Sequence, residues 1–481
     1  MKSLKQKTIS GLYWSSIDGI ASQGVQFTIG IVLARILSPH EFGLIGMLTI
    51  FIAIAQSFID SGFGTALIRK KSCSQKDYST IFYFNITVGI LFYFLLFISA
   101  GPLSAFFKEP QLKQILRVLG FGLILNSVAM IQKVILTKNI NFKLQTRVSI
   151  ISSISSGLIS IWMAYAGYGV WSLVGLTLSR FGFTALFLWI WTNWKPSLIF
   201  SIESLKELFA FGSKLLISGL INTAQINIYS LIIGKYFSAV QLGYYTRADQ
   251  FQEVPSKNLS SIIGRVSIPL LSSIQDDLPK VRKTYQQITK SIMLITFLAM
   301  IGMAAIAKPL ILFLIGEKWL PSVLYLQMLC FVGMFYPLHS LNLNLLNVLG
   351  RSDLFLRLEI IKQILVIPTI VIGILFGLKI MIFGMMTNAV IGFYLNSFWS
   401  GKFIDYSTMN QVKDIIPSFC LALLVGFVVY IIGLVFSSSS LFILIIQLAV
   451  GSILAISTAE FFKMNDYIFI KKIILEKIKR K

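Results

Sequence analysis

The sequence predicts an all-α integral membrane protein with about 14 transmembrane helices, in which two parallel six-helix repeats are followed by two further helices. Hydrophobic residues make up 56% of the 481 residues and charged residues 13%, about half the charged fraction of a soluble domain. Apolar runs of about 20 residues recur along the whole chain, each long enough to cross a bilayer as a helix. Alternating segments of about 10 residues, which a transmembrane barrel would show, are absent from the sequence.

The individual helices follow from the apolar runs and from the turn residues between them. The connections are short, so that little of the chain is predicted outside the membrane. Residues 463–481 form a basic amphipathic tail that suits an anionic inner leaflet. The predicted helices cover residues 8–37, 41–68, 78–106, 113–137, 143–166, 168–192, 206–237, 240–272, 285–315, 321–349, 353–377, 379–400, 413–436 and 440–462.

The N-terminal segment is predicted to remain as the first membrane helix. Residues 8–36 follow Lys2, Lys5 and Lys7, an arrangement that a signal peptide would share. The segment is, however, too long and too polar for the apolar core of a cleavable signal peptide.

The polar residues show no pattern that is typical of an enzyme. A GxxxxGK[ST] phosphate-binding loop is absent from the sequence, so the chain is not predicted to be an ATP-driven pump. The three cysteines and two histidines lack disulfide or metal-ligand spacing. We therefore predict no enzymatic activity and no cofactor or metal, and leave open whether protons or sodium ions drive the protein.

The basic residues lie mainly on one side of the predicted topology. The net charge is +23, which in a soluble protein would suggest nucleic-acid binding. With the N-terminus inside, about 28 of the 42 Lys and Arg residues fall on the cytoplasmic side and about eight on the opposite side. This bias predicts that both termini are cytoplasmic, and it accounts for most of the charge without nucleic acid.

An internal repeat is visible in the spacing of matching residues. Gly43 pairs with Gly243 at an offset of 200, and Arg147 pairs with Arg357 at an offset of 210. Each repeat contains an even number of helices, so both enter the membrane in the same orientation. That layout is typical of alternating-access transporters. The predicted divisions are an N-terminal lobe, a C-terminal lobe and two additional helices with the tail: 1–200, 201–403 and 404–481.

The eighth predicted helix concentrates charge at membrane depth, where a charge usually faces a partner or a water-filled cavity. Three cations and three polar residues fall within an arc of roughly 100°, and Pro255 is predicted to bend the helix. A structural alternative is that Asp249 and Glu253 only neutralise the neighbouring cations. The residues of this predicted cavity-lining stripe are Arg247, Gln250, Lys257, Asn258, Ser261 and Arg265.

Two further helices carry matching polar stripes. Asp18 pairs with Ser218 at the 200-residue offset, so both lobes are predicted to present them in equivalent positions. Asp18 is a candidate for ion coupling, or else it holds a cation such as Lys214. The predicted cavity lining comprises Ser15, Asp18, Ser22 and Gln26 on the first helix, Asp60 at the end of the second, and Lys214, Ser218, Asn222 and Gln225 on the seventh.

The other charged residues at membrane depth are more readily interpreted as structural than as ligand-binding. Arg35, near a helix end, can extend its charge to the membrane surface. Glu359 and Lys362 have the spacing of a salt bridge on a helix. Arg180, in the sixth predicted helix, is placed in the same group.

Several segments resemble the Wzx-type polysaccharide flippases, specifically the branch like the colanic acid exporter. The motifs are LARILSPHEFGLIGM at 33–47, FIDSGFGTALIRK at 58–70, AGYGVWSLV at 166–174, and a segment at 241–277 that begins QLGYYTRADQFQEVP. The resemblance extends from about residue 8 to about residue 400.

This resemblance implies the fold of the multidrug/oligosaccharidyl-lipid/polysaccharide exporter superfamily, with two six-helix bundles in a V around a central cavity. It implies transfer of an undecaprenyl-diphosphate-linked oligosaccharide from the cytoplasmic to the periplasmic leaflet of the bacterial inner membrane. Membrane lipids and a polysaccharide polymerase machinery are the implied partners. The cations that would bind the diphosphate are Arg247, Lys257, Arg265, Lys214 and Arg35.

Two other functions stay open at this point. A drug or organic-cation exporter of the same fold would use acidic cavity residues, for which Asp18 and Asp60 are available. A non-transporting scaffold for polysaccharide assembly would not need the symmetric polar stripes. The glycan, the pathway (O-antigen, capsule or exopolysaccharide) and the oligomeric state are not predicted.

Overall fold

A computed structural model describes residues 4–60, 62–436 and 438–479. The helices in this part of the chain are α1 (Leu4–Ile36), α2 (Pro39–Asp60), α3 (Phe63–Arg69), α4 (Gln75–Phe107), α5 (Gln111–Lys138), α6 (Phe142–Tyr165), α7 (Trp171–Trp191), α8 (Ile202–Tyr236), α9 (Ala239–Ser272), α10 (Leu278–Ala305), α11 (Ala307–Leu314), α12 (Ser322–Gly333), α13 (Tyr336–Val348), α14 (Ser352–Phe376), α15 (Leu378–Phe403), α16 (Thr408–Val435), α17 (Ser440–Phe461) and α18 (Asn465–Lys479). A 3-10 turn occupies Glu317–Trp319.

The predicted class is confirmed, because a helix or a pair of helices lies at each predicted membrane segment. Within the described ranges, 13 segments are long and apolar enough to cross a bilayer. The remaining predicted segment is α9, which is 34 residues long and carries the predicted polar stripe. Its charged residues lower its hydropathy, although its length exceeds the thickness of the hydrocarbon core.

Three of the predicted helices are interrupted, and proline explains two of the interruptions. The ninth predicted helix breaks at Ile306, three residues before Pro309, and the tenth breaks before Pro337. A proline ring clashes with the carbonyl four residues earlier, and proline fits best in the first turn of a new helix.

Glycine accompanies the third interruption, between α2 and α3. Gly62 has a φ of 30°, and a Cβ there would overlap the backbone of Gly212 on α8. Only a residue without a side chain allows this approach.

The helices form two compact units, residues Met1–Gly243 and Tyr244–Lys481. In the first unit α8 packs against α2, α3 and α4, and in the second α10 packs against α16. The unit boundary therefore falls inside α9, after the start of the second sequence repeat. The predicted divisions at residues 200 and 403 describe the repeat and stay predictions.

Each unit has its own apolar core. In the first unit, α3, α4, α5 and α8 enclose a cluster that includes Leu67, Ile81, Ile131 and Leu208. In the second, α16 and α17 enclose Leu421, Val425 and Ala459, against which Tyr467 and Ile470 of α18 pack. The basic tail is therefore docked on the second unit at this point.

The repeat is also visible in the structure, where α2 and α9 begin. A Cβ on Gly43 would overlap the backbone carbonyl of Ala239, and a Cβ on Gly243 would overlap the carbonyl of Pro39. All four residues belong to the first unit. The two contacts are equivalent at the 200-residue offset, so each repeat contributes the same glycine to one close helix crossing.

We expect Gly43→Ala to destabilise the protein, because the added methyl group meets backbone atoms that cannot rotate away. Overpacking of this kind costs about 1–3 kcal/mol. Gly24→Ala on α1 is the matched control: its Cβ meets nothing within 4 Å, and alanine favours a helix by about 1 kcal/mol over glycine. The measurement is the temperature at which detergent-solubilised protein loses its monodisperse peak. A Gly43→Ala protein as heat-resistant as Gly24→Ala would contradict the close crossing.

Candidate functional site

The later part of the polar stripe of α9 lies on a face that the second unit leaves uncovered. The opposite face is buried through Ala248, Gln252, Ser256 and Ile263. Gln252 Nε2 donates to Ser256 Oγ at 2.7 Å within that buried face. The stripe residues Lys257, Asn258, Ser261 and Arg265 are exposed, whereas Arg247 and Gln250 are half-buried.

Each arginine of the stripe donates a hydrogen bond to a side chain on its own helix. Arg247 Nη1 donates to Gln250 Oε1 at 2.5 Å, and Arg265 Nη2 donates to Ser261 Oγ at 2.8 Å. Amide and hydroxyl oxygens orient a guanidinium group without cancelling its charge. Gln250 and Ser261 therefore help to orient the two guanidinium groups of the stripe.

The third cation of the stripe is neutralised. Lys257 forms an ion pair with Glu253, one helical turn earlier. For Glu253, this agrees with the structural alternative, in which the acid neutralises a neighbouring cation. Asn258 Nδ2 donates to the carbonyl of Val254 at 2.6 Å, so it also binds its own helix. The ion pair with Glu253 consequently weakens Lys257 as a candidate for anion binding.

The stripe of α8 lies on an uncovered face of the first unit. All four of its residues are exposed, whereas Leu208, Gly212 and Ile233 of the same helix are buried. Arg35, at the end of α1, is exposed as well. The exposed residues of the α8 stripe are Lys214, Ser218, Asn222 and Gln225.

The stripe of α1 has different surroundings from its counterpart on α8. Ser22 Oγ donates to Asp18 Oδ1 at 3.1 Å and lies 2.8 Å from Ser149 Oγ on α6. Asp18, Ser22 and Gln26 are half-buried. The acidic stripe thus faces a helix of its own unit. The side chains of Ser15 and Asp60 lie outside the part of the chain that the structure describes.

Asp18 borders a cavity of about 220 Å³ inside the first unit. Lys133 of α5 and Arg180 of α7 line the same cavity, beside Gln145 and Ser149 of α6. The Asp18 carboxylate is near enough to act electrostatically on the Arg180 guanidinium. Three helices therefore bring two cations and one acid to a single cavity.

This arrangement adds residues that the sequence patterns did not assign to a site. The sequence patterns assign Lys133 no binding role and place Arg180 with the structural charges. Lys133 Nζ donates to Asn126 Oδ1 at 3.3 Å on its own helix. No ion pair between Asp18 and Lys214 is present among the described residues. The signal that could have identified Arg180 is its position at membrane depth.

The second unit holds a separate group of polar side chains. Lys362 and Glu359 form the ion pair that their spacing predicts. His339 Nδ1 lies 3.2 Å from Asn396 Nδ2, and Ser400 Oγ donates to Asn342 Oδ1 at 2.5 Å. No group of three His, Cys, Asp or Glu residues that could hold a metal ion occurs in the described ranges.

The fold is similar to that of the lipid II flippase MurJ in its inward closed conformation. The TM-score is 0.77 at 15% identity, over 93% of this chain and 98% of that one. This likeness confirms the all-helical membrane fold that the sequence predicts.

Two relatives match most of the chain at the level of sequence. The lipopolysaccharide biosynthesis protein WzxC of Escherichia coli is 28% identical over 381 residues, which is 77% of this chain and 76% of WzxC. The teichuronic acid biosynthesis protein TuaB of Bacillus subtilis is 26% identical over 356 residues, 74% of each chain. Residues 32–324 match the family described as polysaccharide biosynthesis protein. Because that match covers more than half of its length, the chain belongs to the polysaccharide biosynthesis protein family, and its Wzx-type motifs agree with the relatives found.

Proposed function

We propose that this protein flips an undecaprenyl-diphosphate-linked oligosaccharide from the cytoplasmic to the periplasmic leaflet for surface polysaccharide synthesis. The observation that carries the proposal is the α9 stripe, on which Arg247, Lys257 and Arg265 share one face of a single helix. Membership of the polysaccharide biosynthesis family supports the same substrate class. The fold supports movement of a lipid rather than catalysis on it.

The chemistry of the substrate explains the need for arginine. A diphosphate that leaves water loses hydrogen bonds and charge solvation, which protein groups must replace. Guanidinium groups can contact two phosphate oxygens at once. The prenyl chain needs no such replacement, because it can stay in the hydrocarbon core while only the head group crosses.

An exporter of organic cations is supported less well. Such a transporter needs an acid that the cation can approach, and Asp18 is the described candidate. Its cavity also contains Lys133 and Arg180, so formal positive charge exceeds negative charge there. A cationic drug would be repelled by this arrangement.

Deletion of the gene separates the two functions. We expect the deletion strain to lose surface polysaccharide, to accumulate lipid-linked repeat units on the cytoplasmic side, and to keep its resistance to cationic dyes. Complementation with the intact gene provides the control. A strain that kept its polysaccharide and became dye-sensitive would refute the flippase proposal.

We also propose that the protein lies in the inner membrane with both termini in the cytoplasm. Cys73 is a poor reporter of sidedness, because it is half-buried and its Sγ accepts a hydrogen bond from Lys138 Nζ at 2.8 Å. Ser72, its neighbour, is exposed. In a background without native cysteines, Ser72→Cys should resist a membrane-impermeant maleimide in intact spheroplasts, whereas Gln111→Cys at the start of α5 should react. The opposite labelling pattern would reverse the topology.

A further inference from the structure

A second cavity, of about 560 Å³, lies in the second unit where α16 begins and α17 ends. It is lined by charged residues from α10, α16, the α17–α18 connection and the start of α18, and by apolar residues from α16 and that connection. None of these residues belongs to the polar stripes or to the Asp18 cavity. The charged lining consists of Lys290, Lys413, Asp414, Lys463 and Asp466.

The acids of this cavity already have protein partners. Asp414 pairs with Lys290 at 2.8 Å and accepts a hydrogen bond from the Tyr406 hydroxyl at 2.6 Å. Asp466 accepts from Ser418 Oγ at 3.3 Å. Burial raises the pKa of the Asp466 carboxyl above its ordinary value, and the nearby Lys290 partly offsets that effect.

Two lysines of the cavity differ from its aspartates in their contacts. Lys413 and Lys463 are both exposed, and within the described residues neither side chain makes an ion pair or a hydrogen bond to a side chain. Three lysines and two aspartates give the lining a formal charge of +1. The excess positive charge is available at these two ammonium groups.

An apolar strip continues from Lys413 along the same face of α16. Pro417, Cys420 and Leu424 follow it at spacings of four, three and four residues, which keeps them on one helix face. The strip from Lys413 to Leu424 is about 16 Å long at 1.5 Å per residue. Pro417, Cys420 and Leu424 are exposed, and Phe462 on the other wall is 68% exposed.

We propose that this cavity binds an anionic glycerophospholipid, with its phosphate between Lys413 and Lys463 and an acyl chain along the strip on α16. A cationic end followed by an exposed apolar strip matches a phosphate head group followed by a hydrocarbon chain. A free phosphate would leave the strip uncovered. The docked α18, held by the ion pair of Lys471 with Glu460 at 2.7 Å, closes the polar end of the cavity.

Cys420 lies in the cavity and reports its occupancy directly. The test measures the rate at which N-ethylmaleimide modifies Cys420 in the full-length protein in dodecyl maltoside, followed by peptide mass spectrometry. Dioleoyl phosphatidylglycerol at ten times its apparent Kd should slow the modification about tenfold. Dioleoyl phosphatidylcholine and inorganic phosphate should leave the rate unchanged.

Paired variants separate this site from general attraction of anionic lipid to a basic surface. Lys413→Gln/Lys463→Gln should lose the protection by phosphatidylglycerol while keeping the lipid-free rate at Cys420. Lys280→Gln/Lys283→Gln removes two exposed lysines near the start of α10 that do not line the cavity, and it should retain protection.

Four results would overturn the proposal. Equal protection by phosphatidylcholine would show apolar coverage alone, and protection by inorganic phosphate would show a simple anion site. Stronger protection by undecaprenyl phosphate than by phosphatidylglycerol would assign the cavity to a prenyl lipid. A Cys420 that is unreactive without lipid would show a closed cavity. Protection by phosphatidylcholine, protection by inorganic phosphate and an unreactive Cys420 would each leave the flippase proposal unaffected.

Discussion

Arg265→Ala is expected to stop most polysaccharide export while leaving the protein folded in the membrane. The side chain is exposed and donates a hydrogen bond to Ser261 on the same helix, so its removal leaves no cavity in a core. A hydrogen bond to a charged group contributes about 1.5–3 kcal/mol, which corresponds to roughly 10- to 150-fold in a binding constant. The measurements are surface polysaccharide, lipid-linked repeat units, and the amount of protein in the membrane fraction.

Two conservative substitutions test whether geometry as well as charge is required. Arg265→Lys keeps the charge but loses the planar two-point contact with phosphate, so export should remain impaired. Lys257→Arg should be tolerated, because the ion pair with Glu253 is available to either side chain. Arg247→Ala should resemble Arg265→Ala. Normal polysaccharide from an Arg265→Ala strain with wild-type protein levels would remove the α9 stripe from the mechanism.

The helices could be predicted from the sequence because each one must bury about 20 apolar residues in lipid. The interruptions could not. Pro309 and Pro337 coincide with interruptions, whereas Pro102 and Pro417 lie inside α4 and α16. Proline is tolerated inside a membrane helix when neighbouring groups satisfy the freed carbonyl. Which proline ends a helix therefore depends on tertiary packing, which a single sequence does not contain.

The site was predictable to the extent that it lies on one helix. Periodicity places Arg247, Lys257 and Arg265 on one face of α9, and the structure places the later part of that face at the surface of the second unit. Periodicity carries no information about contacts between helices. The approach of Lys133 and Arg180 to Asp18 joins residues far apart in the chain, so it could not be derived in this way. The pair Lys257–Glu253, by contrast, lies within α9 at a spacing of four residues, so the sequence could offer it as an alternative.

Asp18→Asn is expected to reduce export strongly, because it removes the acid from a cavity that also contains Lys133 and Arg180. If this carboxylate takes up a proton in one conformation and releases it in the other, its loss separates transport from the membrane potential. One charge moved through 100 mV supplies about 2.3 kcal/mol, or roughly 50-fold in the gradient that can be sustained. Export by Asp18→Asn should then be low and insensitive to a proton uncoupler.

A double variant distinguishes coupling from a purely structural role. Asp18 acts electrostatically on Arg180, so Asp18→Asn alone leaves the guanidinium without this acid, whereas Asp18→Asn/Arg180→Gln removes both charges. If Asp18 only pairs with Arg180, the double variant should regain both heat resistance and export, because the effects of the Asp18 and Arg180 substitutions would not be additive. If Asp18 couples transport to protons, the double variant should regain heat resistance but not export, because no titratable group replaces Asp18. We expect the second result. Recovery of uncoupler-sensitive export in the double variant would instead limit Asp18 to holding Arg180 in place.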